Sequence, residues 1–287
     1  MAGGAVPGAG RSDFLLRFRR SRNAVIGAAI VALVLLMALL GPSLVGHDPA
    51  KVNVLDAWRG PGDKYLLGAD ALGRDVLARI VSGARVSLTV AVSVLAITLT
   101  VGTVLGMIAA WFGGWIDALI MRTVDIIFAF PELIFAILIA AMLGPGTSTV
   151  IIALSLVWWP GIARLTRSLV LSLRSEMFVD AAIACGTPVH RIMRRHFLPN
   201  IVAPLIVRAS IGVGFIIMAE ATLSFLGIGV QEPTPTWGAM IRDGLTQLRT
   251  DPHLALWSSL ALGVTMIGFN LLGDGLRDIL DPRMQER

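Results

Sequence analysis

The sequence predicts an all-α, polytopic membrane protein with about six transmembrane helices. Of its 287 residues, 55% are hydrophobic and only 15% are charged, whereas a soluble domain carries about 25% charged residues. Mean hydropathy is +0.78, and the apolar residues are collected in runs long enough to cross a hydrocarbon core. This composition excludes a disordered chain and argues against a soluble globular enzyme.

The first 23 residues are expected to form a disordered basic tail, because they begin with small, Gly-rich residues and end with clustered arginines. The apolar run over 24–45 that follows is roughly 33 Å long as a helix, which is enough for one span. A signal peptide would have a shorter apolar core, of about 7–15 residues, and a small-residue cleavage site. We therefore interpret 24–45 as an uncleaved anchor helix.

Five further apolar stretches are predicted to span the membrane. They cover 86–112, 116–143, 148–171, 200–228 and 255–276. Pro131 lies inside the second of these stretches, so a kink or a tilt is expected there, and the start of that stretch is alternatively interfacial. Six spans is the preferred count, and five or seven remain open.

The placement of arginines predicts the orientation. They are concentrated in the N-terminal tail, in the loop at 174–199 and in the tail at 277–287. An even number of spans places all three on one side, which the positive-inside rule assigns to the cytoplasm. The segments at 46–85 and 229–254 then lie outside the cytoplasm, and in the first of them five aspartates are interleaved with six basic residues.

The loop at 174–199 is predicted to contain a short alanine-rich helix over about 176–185. Ser175 is a candidate N-cap, and Gly186 lies where a left-handed residue is needed to end the helix. Its small side chains let another surface approach the backbone closely, which favours a docking site. An amphipathic helix lying on anionic lipid is an equally good interpretation of the composition.

A second short helix is predicted after the break, with Thr187 as its cap and Pro188 at its first position. Pro199 then opens the fifth span. One face of this second helix is apolar, and it consists of Val189, Ile192, Met193 and Phe197.

A set of residues at fixed spacing in this loop is similar to the EAA loop of ABC importer permeases. The set consists of Asp180-Ala181-Ala182, Gly186 and Leu198-Pro199. Asp180 takes the place of the usual Glu and keeps its charge, and His196 stands where many families have Ile. In the family this loop is a coupling helix that fits a groove of the ATP-binding subunit.

Other segments resemble the DppC/OppC-like permease subunits of peptide, opine and nickel ABC importers. Residues 65–88 are similar to the family's LGTD-x-LGRD stretch, with Ala69 in place of Thr. Residues 113–133, 219–241 and 269–283 match the same family, so the resemblance covers about 15–283.

The resemblance implies a type I ABC importer permease fold with a cytoplasmic coupling helix, in a bacterial inner membrane. It implies a second homologous permease subunit (DppB/OppB-like), two ATP-binding subunits (DppD/DppF- or OppD/OppF-like) and an extracytoplasmic substrate-binding protein as partners, and no nucleic acid. The implied ATPase-coupling residues are Asp180, Ala181, Ala182, Gly186, Thr187, Pro188, Leu198 and Pro199. ATP and magnesium are expected in the partner subunits and no cofactor in this chain, because it contains no Walker A sequence.

Charged residues inside predicted spans are candidates for the translocation path, because each costs at least ~2.5–3.5 kcal/mol at mid-bilayer. The candidates are Asp125, Glu132 and Glu220. Asp125 has Arg122 one turn away as a potential partner, and Glu132 alternatively satisfies backbone groups freed by the proline. Arg208 is expected near the cytoplasmic end of its span, where its side chain can snorkel.

Two further features have structural interpretations. Gly102 and Gly106 form a small-xxx-small pair that favours close helix packing. Trp237 and Trp257 are expected in the aromatic belt at the membrane interface. A metal site is not expected, since Cys185 is the single cysteine and no HExxH motif occurs.

Competing functions remain at this point. The same architecture could import nickel or another small solute instead of dipeptides or oligopeptides. A proton-coupled secondary transporter would use Asp125, Glu132 and Glu220 as a relay. An intramembrane hydrolase is disfavoured, because no G-x-S-x-G elbow occurs.

Overall fold

The computed structural model describes residues 11–280, and within this range the chain is built from α-helices and no β-strand. The helices are α1 (Arg11–Arg20), α2 (Arg22–Leu44), α3 (Val76–Phe112), α4 (Gly114–Phe128), α5 (Glu132–Leu143), α6 (Thr147–Arg174), α7 (Met177–Ala184), α8 (Val189–Ile192), α9 (Leu198–Phe225), α10 (Trp237–Leu245) and α11 (His253–Leu280). The predicted all-α membrane class is confirmed.

Five helical segments in the described range are long and apolar enough to cross a membrane by themselves: α2, α3, α6, α11, and α9 together with the turns before it. α4 and α5 qualify only as a pair, and they meet at an angle of 90°. Pro131 lies at this break as the N-cap of α5, where its missing N–H removes no helical hydrogen bond. The expected kink in the third span is therefore a complete break.

Close packing of α3 on α6 shows that the broken pair still crosses the bundle. A Cβ built on Gly102 would lie 2.6 Å from Cβ of Ile162, and one on Gly106 would lie 2.5 Å from the carbonyl oxygen of Ala163. Residue numbers rise together along the contact, so α3 and α6 run parallel. Residues 113–146 must then return across the bundle, which favours six crossings, and the packing role of the glycine pair is confirmed.

The start of α2 and the end of α11 lie at the same end of the bundle as α7. Gly41 packs against Val81, so the end of α2 meets the start of α3. Gly275 packs against the backbone of Ala24, so the end of α11 meets the start of α2. We call this side the α7 end, and the side that carries 46–75 and α10 the α10 end.

Two boundaries differ from the prediction. α3 begins ten residues early, because Asp75 caps it by accepting a hydrogen bond from the backbone N–H of Leu77 at 2.8 Å. Residues 11–20 form α1, although disorder was expected over 1–23, and Ser21 then caps α2 through the N–H of Ala24. Residues 1–10 and 281–287 lie outside the described residues.

The segment at 229–254, predicted as an outer loop, contains α10, which packs against the bundle. Trp237 at the start of α10 is 0% exposed, and its indole N–H donates to the carbonyl oxygen of Ile80 at 3.0 Å. Gly83 makes room for the ring, since a Cβ there would lie 3.1 Å from it. The belt position predicted for Trp237 is therefore wrong, whereas Trp257 keeps partial exposure.

Apolar side chains form two main clusters. The larger one occupies the bundle between α2, α3, α5, α6, α9 and α11. The second core lies at the α7 end and consists of Ala110, Ile162, Val170, Val179, Ile192, Phe197, Ile201 and Leu205. It joins the ends of three spans to the segment between α6 and α9.

Candidate functional site

The short alanine-rich helix predicted over about 176–185 is present as α7, and it is shorter than expected. Glu176 is its N-cap, and Ser175 instead donates its hydroxyl to the carbonyl oxygen of Ser172 at 3.0 Å. Thr187 does not cap the next helix either, since α8 begins after Pro188 without a side-chain cap. Both predicted caps are wrong, but both helices form.

The end of α7 is closed by two backbone hydrogen bonds around Gly186. The N–H of Gly186 donates to the carbonyl of Ile183 at 2.9 Å, and the N–H of Thr187 donates to the carbonyl of Ala182 at 3.0 Å. This is the Schellman pattern, which needs a left-handed residue, and Gly186 has φ +69°. Gly186 therefore sets the direction in which the chain leaves the helix.

α7 is held to the protein by one side and presents the other. Val179 is 0% exposed in the second core, and Ala182 is half-buried against it. Met177 is 87% exposed, and Asp180 and Ala181 are exposed as well. The exposed side of α7 thus combines apolar side chains, Met177 and Ile183 among them, with the carboxylate of Asp180, which is a composition that favours a contact surface.

Residues after α7 continue the anchor. Ile192 and Phe197 are buried, as the predicted apolar face requires, and a π-helical turn over Met193–Phe197 joins α8 to α9. Leu198 is half-buried and Pro199 is exposed in the first turn of α9. The ends of all three neighbouring spans therefore share the second core with α7.

Trp111 and Arg174 connect α3 and α6 within this layer. The indole of Trp111 lies 5.8 Å from the ring of Phe197, centroid to centroid. Arg174 donates to the carbonyl of Ala110 at 3.0 Å, and its guanidinium lies 5.5 Å from the centroid of Trp111. These polar and cation–π contacts fix the last turn of α6 directly before α7.

The charged residues of the third span are paired differently from the prediction. Asp125 forms its ion pair with Arg164 of α6 at 2.5 Å, and not with Arg122. Asp117 receives two hydrogen bonds from Arg167, each of 2.5 Å. Because of the break, α4 lies against α6. Its aspartates therefore pair with arginines of α6 and not with Arg122 of their own helix.

Glu132 and Arg208 line a common cavity of about 60 Å³ at the break, although the sequence suggested no relation between them. The helical course continues from Val189 to Phe225, so Arg208 lies midway along it and not near its end. The expected snorkelling position is therefore wrong.

Glu220 lies apart from the other two path candidates. It is 0% exposed, and its carboxylate accepts hydrogen bonds from Ser87 at 2.8 Å and from Ser224 at 2.9 Å. The structure thus does not bring Glu220 together with Asp125 and Glu132, and the carboxylate reaches no surface of this chain.

A charge network at the α10 end was not identified from the sequence. Asp70 accepts a hydrogen bond from Nε of Arg74 at 2.7 Å, and Nε of Arg79 lies 3.2 Å from the same carboxylate. Glu232, from beyond α9, accepts from Arg74 at 2.5 Å and from Arg79 at 2.8 Å. Arg79 is 1% exposed, so this network joins two distant segments through a buried cation.

The network shifts the pKa of Glu232 downward. Burial by itself raises that pKa, but the hydrogen bond from Arg74 and the charges of Arg79 and Arg74 outweigh it. A lowered pKa in the folded state stabilises the protein above the ordinary value of 4.5, and this contribution is lost as the pH falls through the folded-state pKa.

We therefore expect Glu232→Gln to lower the melting temperature at neutral pH, because the charge partner of Arg79 is removed. The difference from wild type should shrink as the pH falls below 4.5. Thermal unfolding in detergent between neutral and acid pH measures it. Asp63→Asn, at an exposed position, is the control, and a constant difference for Glu232→Gln at all pH values would contradict the assignment.

Among the described residues, no group of three or more His, Cys, Asp or Glu side chains is placed to hold a metal ion. The candidate residues consequently divide into the exposed side of α7, charged groups around the break in the third span, and the network at the α10 end.

Comparison with known proteins identifies the family. Residues 102–286 match the model of binding-protein-dependent transport system inner membrane components, and residues 11–61 match the N-terminal transmembrane domain of oligopeptide transport permease C. The dipeptide transport system permease protein DppC of Alkalihalophilus pseudofirmus is 41% identical over 94% of this chain and 88% of its own length.

Two further relatives carry different substrate names. The glutathione transport system permease protein GsiD of Pectobacterium atrosepticum is 38% identical over 95% of this chain and 91% of its own length. A putative peptide transport system permease protein of Brucella suis is 39% identical over 98% of this chain and 96% of its own length. The resemblance to DppC/OppC-like subunits is confirmed: the chain belongs to the family of binding-protein-dependent transport system inner membrane components, as a multi-pass ABC transporter permease.

Proposed function

We propose that this chain forms half of the translocation pathway of an ATP-driven importer of dipeptides or oligopeptides. A second, homologous permease supplies the other half, two ATP-binding subunits hydrolyse ATP with magnesium, and a substrate-binding protein delivers the peptide from outside. The permease itself is non-catalytic. The names of the relatives, which include dipeptide, peptide and glutathione systems, support a peptide or peptide-like substrate.

The observation that carries the proposal is the construction of α7. Val179 fixes the helix to the second core, while Met177, Asp180 and Ala181 face outward. An ATP-binding subunit that moves this outer face would move the ends of α3, α6 and α9, because they pack in the same core. Such a partner shifts the population between inward-open and outward-open states without any chemistry in this chain.

Cys185 provides a direct test, because this single cysteine is exposed at the C-cap of α7. We expect a membrane-impermeant maleimide to label it in inside-out vesicles that contain this chain and its partner permease, and not in right-side-out vesicles. Co-expression of the ATP-binding subunits should protect the thiol. Protection is read as the fraction of labelled chain after a fixed reaction time.

A matched control moves the thiol to the α10 end. Gly60 is exposed and a Cβ there meets no atom within 4 Å, so Gly60→Cys in a Cys185→Ser background should be tolerated. It should be labelled only in right-side-out vesicles and remain unprotected. Equal labelling of Cys185 with and without the ATP-binding subunits would refute docking on α7, and labelling from the outer side would reverse the orientation.

A further inference from the structure

Two charges of opposite sign are left unpaired at the break in the third span. Glu132, at the start of α5, and Arg208, on α9, line the same cavity together with Phe128 and Trp158. The Arg208 guanidinium lies over Gly161, with Nη2 3.8 Å from the position of a Cβ on that glycine. Within residues 11–280 neither charge has a hydrogen bond or an ion pair, although both side chains are exposed.

The cavity lies midway along α6, and therefore at mid-depth if α6 crosses the membrane. Gly161 is 14 residues after Thr147 and 13 residues before Arg174, the two ends of α6, which places it about 20 Å from either end. A charge that faced hydrocarbon at this depth would cost at least ~2.5–3.5 kcal/mol. Two unpaired charges on one face therefore indicate that this face meets water or polar groups.

The helices α2 and α11 have the composition of a lipid contact. α2 exposes Leu33 and Leu36, and α11 exposes Leu260 and Ile267. The charged side also carries the Asp125–Arg164 ion pair, in which each charge is already neutralised by the other. Glu132 and Arg208 have no such partner among the described residues, so both charges are free to bind a ligand from the pathway.

We propose that Glu132 and Arg208 are the charged contacts of this subunit for a short zwitterionic peptide, an inference that rests on the proposed function. The carboxylate receives the α-ammonium group, and the guanidinium donates two hydrogen bonds to the α-carboxylate, as its planar geometry favours. A dipeptide spans at most about 7 Å between its ends, so it can reach both sides of one small cavity.

The size of the cavity agrees with this role. Its volume of about 60 Å³ equals that of about two water molecules in the liquid. It therefore has room for small charged terminal groups and not for the side chains of a peptide, which would extend toward the second permease. This arrangement binds the termini of the peptide and makes no contact with its side chains. A carrier of peptides of varied sequence requires such a site.

The test uses the complete complex in proteoliposomes, with its binding protein loaded with a dipeptide that contains a photoreactive leucine. In wild type, we expect photolabelling between Phe128 and Gly161. Glu132→Gln and Arg208→Gln should each reduce labelling and uptake by about tenfold at saturating loaded binding protein. Complex assembly should not change, and Arg122→Gln, an exposed charge on α4 outside the cavity, is the matched control that should keep wild-type uptake and basal ATP hydrolysis.

Three results would overturn the inference: wild-type uptake by both neutralised variants, photolabelling elsewhere in this chain, or full rescue by the exchange Glu132→Arg with Arg208→Glu. The last would mean that the two groups act on each other and not on a peptide. A wild-type complex that imports no dipeptide would instead refute the proposed substrate, so the two failures are distinguishable.

Discussion

Gly186→Trp is expected to reduce import to the background of a complex without ATP, while the chain still inserts and assembles with its partner permease. Gly186 ends α7 at φ +69°, and a Cβ there meets no protein atom within 4 Å. The indole would therefore project from the outer face of α7, where the ATP-binding subunit is proposed to dock. Uptake by proteoliposomes measures import, and co-purification with the partner permease from membranes measures insertion and assembly.

Two smaller substitutions separate bulk from backbone strain. Gly186→Ala carries the left-handed penalty of about 1–2 kcal/mol without the bulk, and Gly186→Asn adopts this conformation more readily. Both should retain more import than the tryptophan variant, with the asparagine variant nearest to wild type. If Gly186→Trp imported as well as Gly186→Asn, α7 would not be the docking surface.

Asp70→Ala is expected to destabilise the α10 end more than other single changes in that region. Its carboxylate accepts hydrogen bonds from the backbone N–H groups of Leu72 and Arg74, both at 2.9 Å, and from the Arg74 side chain. Without it, buried Arg79 and Arg74 share only Glu232. Removing one partner of a buried ion pair costs about 3–5 kcal/mol, and the melting temperature of the purified chain should fall accordingly.

Matched variants show whether the charge or the turn is responsible. Asp70→Asn can keep the hydrogen bonds to the turn and loses only the charge, so an intermediate melting temperature is expected. Asp63→Ala, at an exposed position of the same segment, should change stability by no more than about 0.5 kcal/mol. Equal melting temperatures for Asp70→Ala and Asp63→Ala would show that the network contributes little.

Features that depend on local sequence were predictable. Apolar run length indicated the spans, the Gly102 and Gly106 spacing indicated close packing, and Gly186 indicated the end of α7. Each of these depends on residues within a few turns of one another, so composition and periodicity are sufficient. The apolar face that contains Ile192 and Phe197 belongs to the same class.

Features that depend on distant pairing were not predictable from one sequence. Asp125 pairs with Arg164, which is 39 residues away, and Glu232 pairs with Arg74, which is 158 residues away. Arg79 lies inside α3, where an isolated arginine is costly. Its partners remove that cost only in the folded chain, and the break before Glu132 likewise determines which helix faces Asp125.

Different kinds of interaction hold the helices together at the two ends of the bundle. At the α10 end, directional hydrogen bonds and ion pairs around Arg79 tolerate little displacement. At the α7 end, apolar contacts around Val179 and Phe197 predominate, and such contacts are non-directional and permit sliding. We therefore expect the α7 end to yield more readily than the α10 end, so that a load applied to α7 would tilt the nearby helix ends about the far ends.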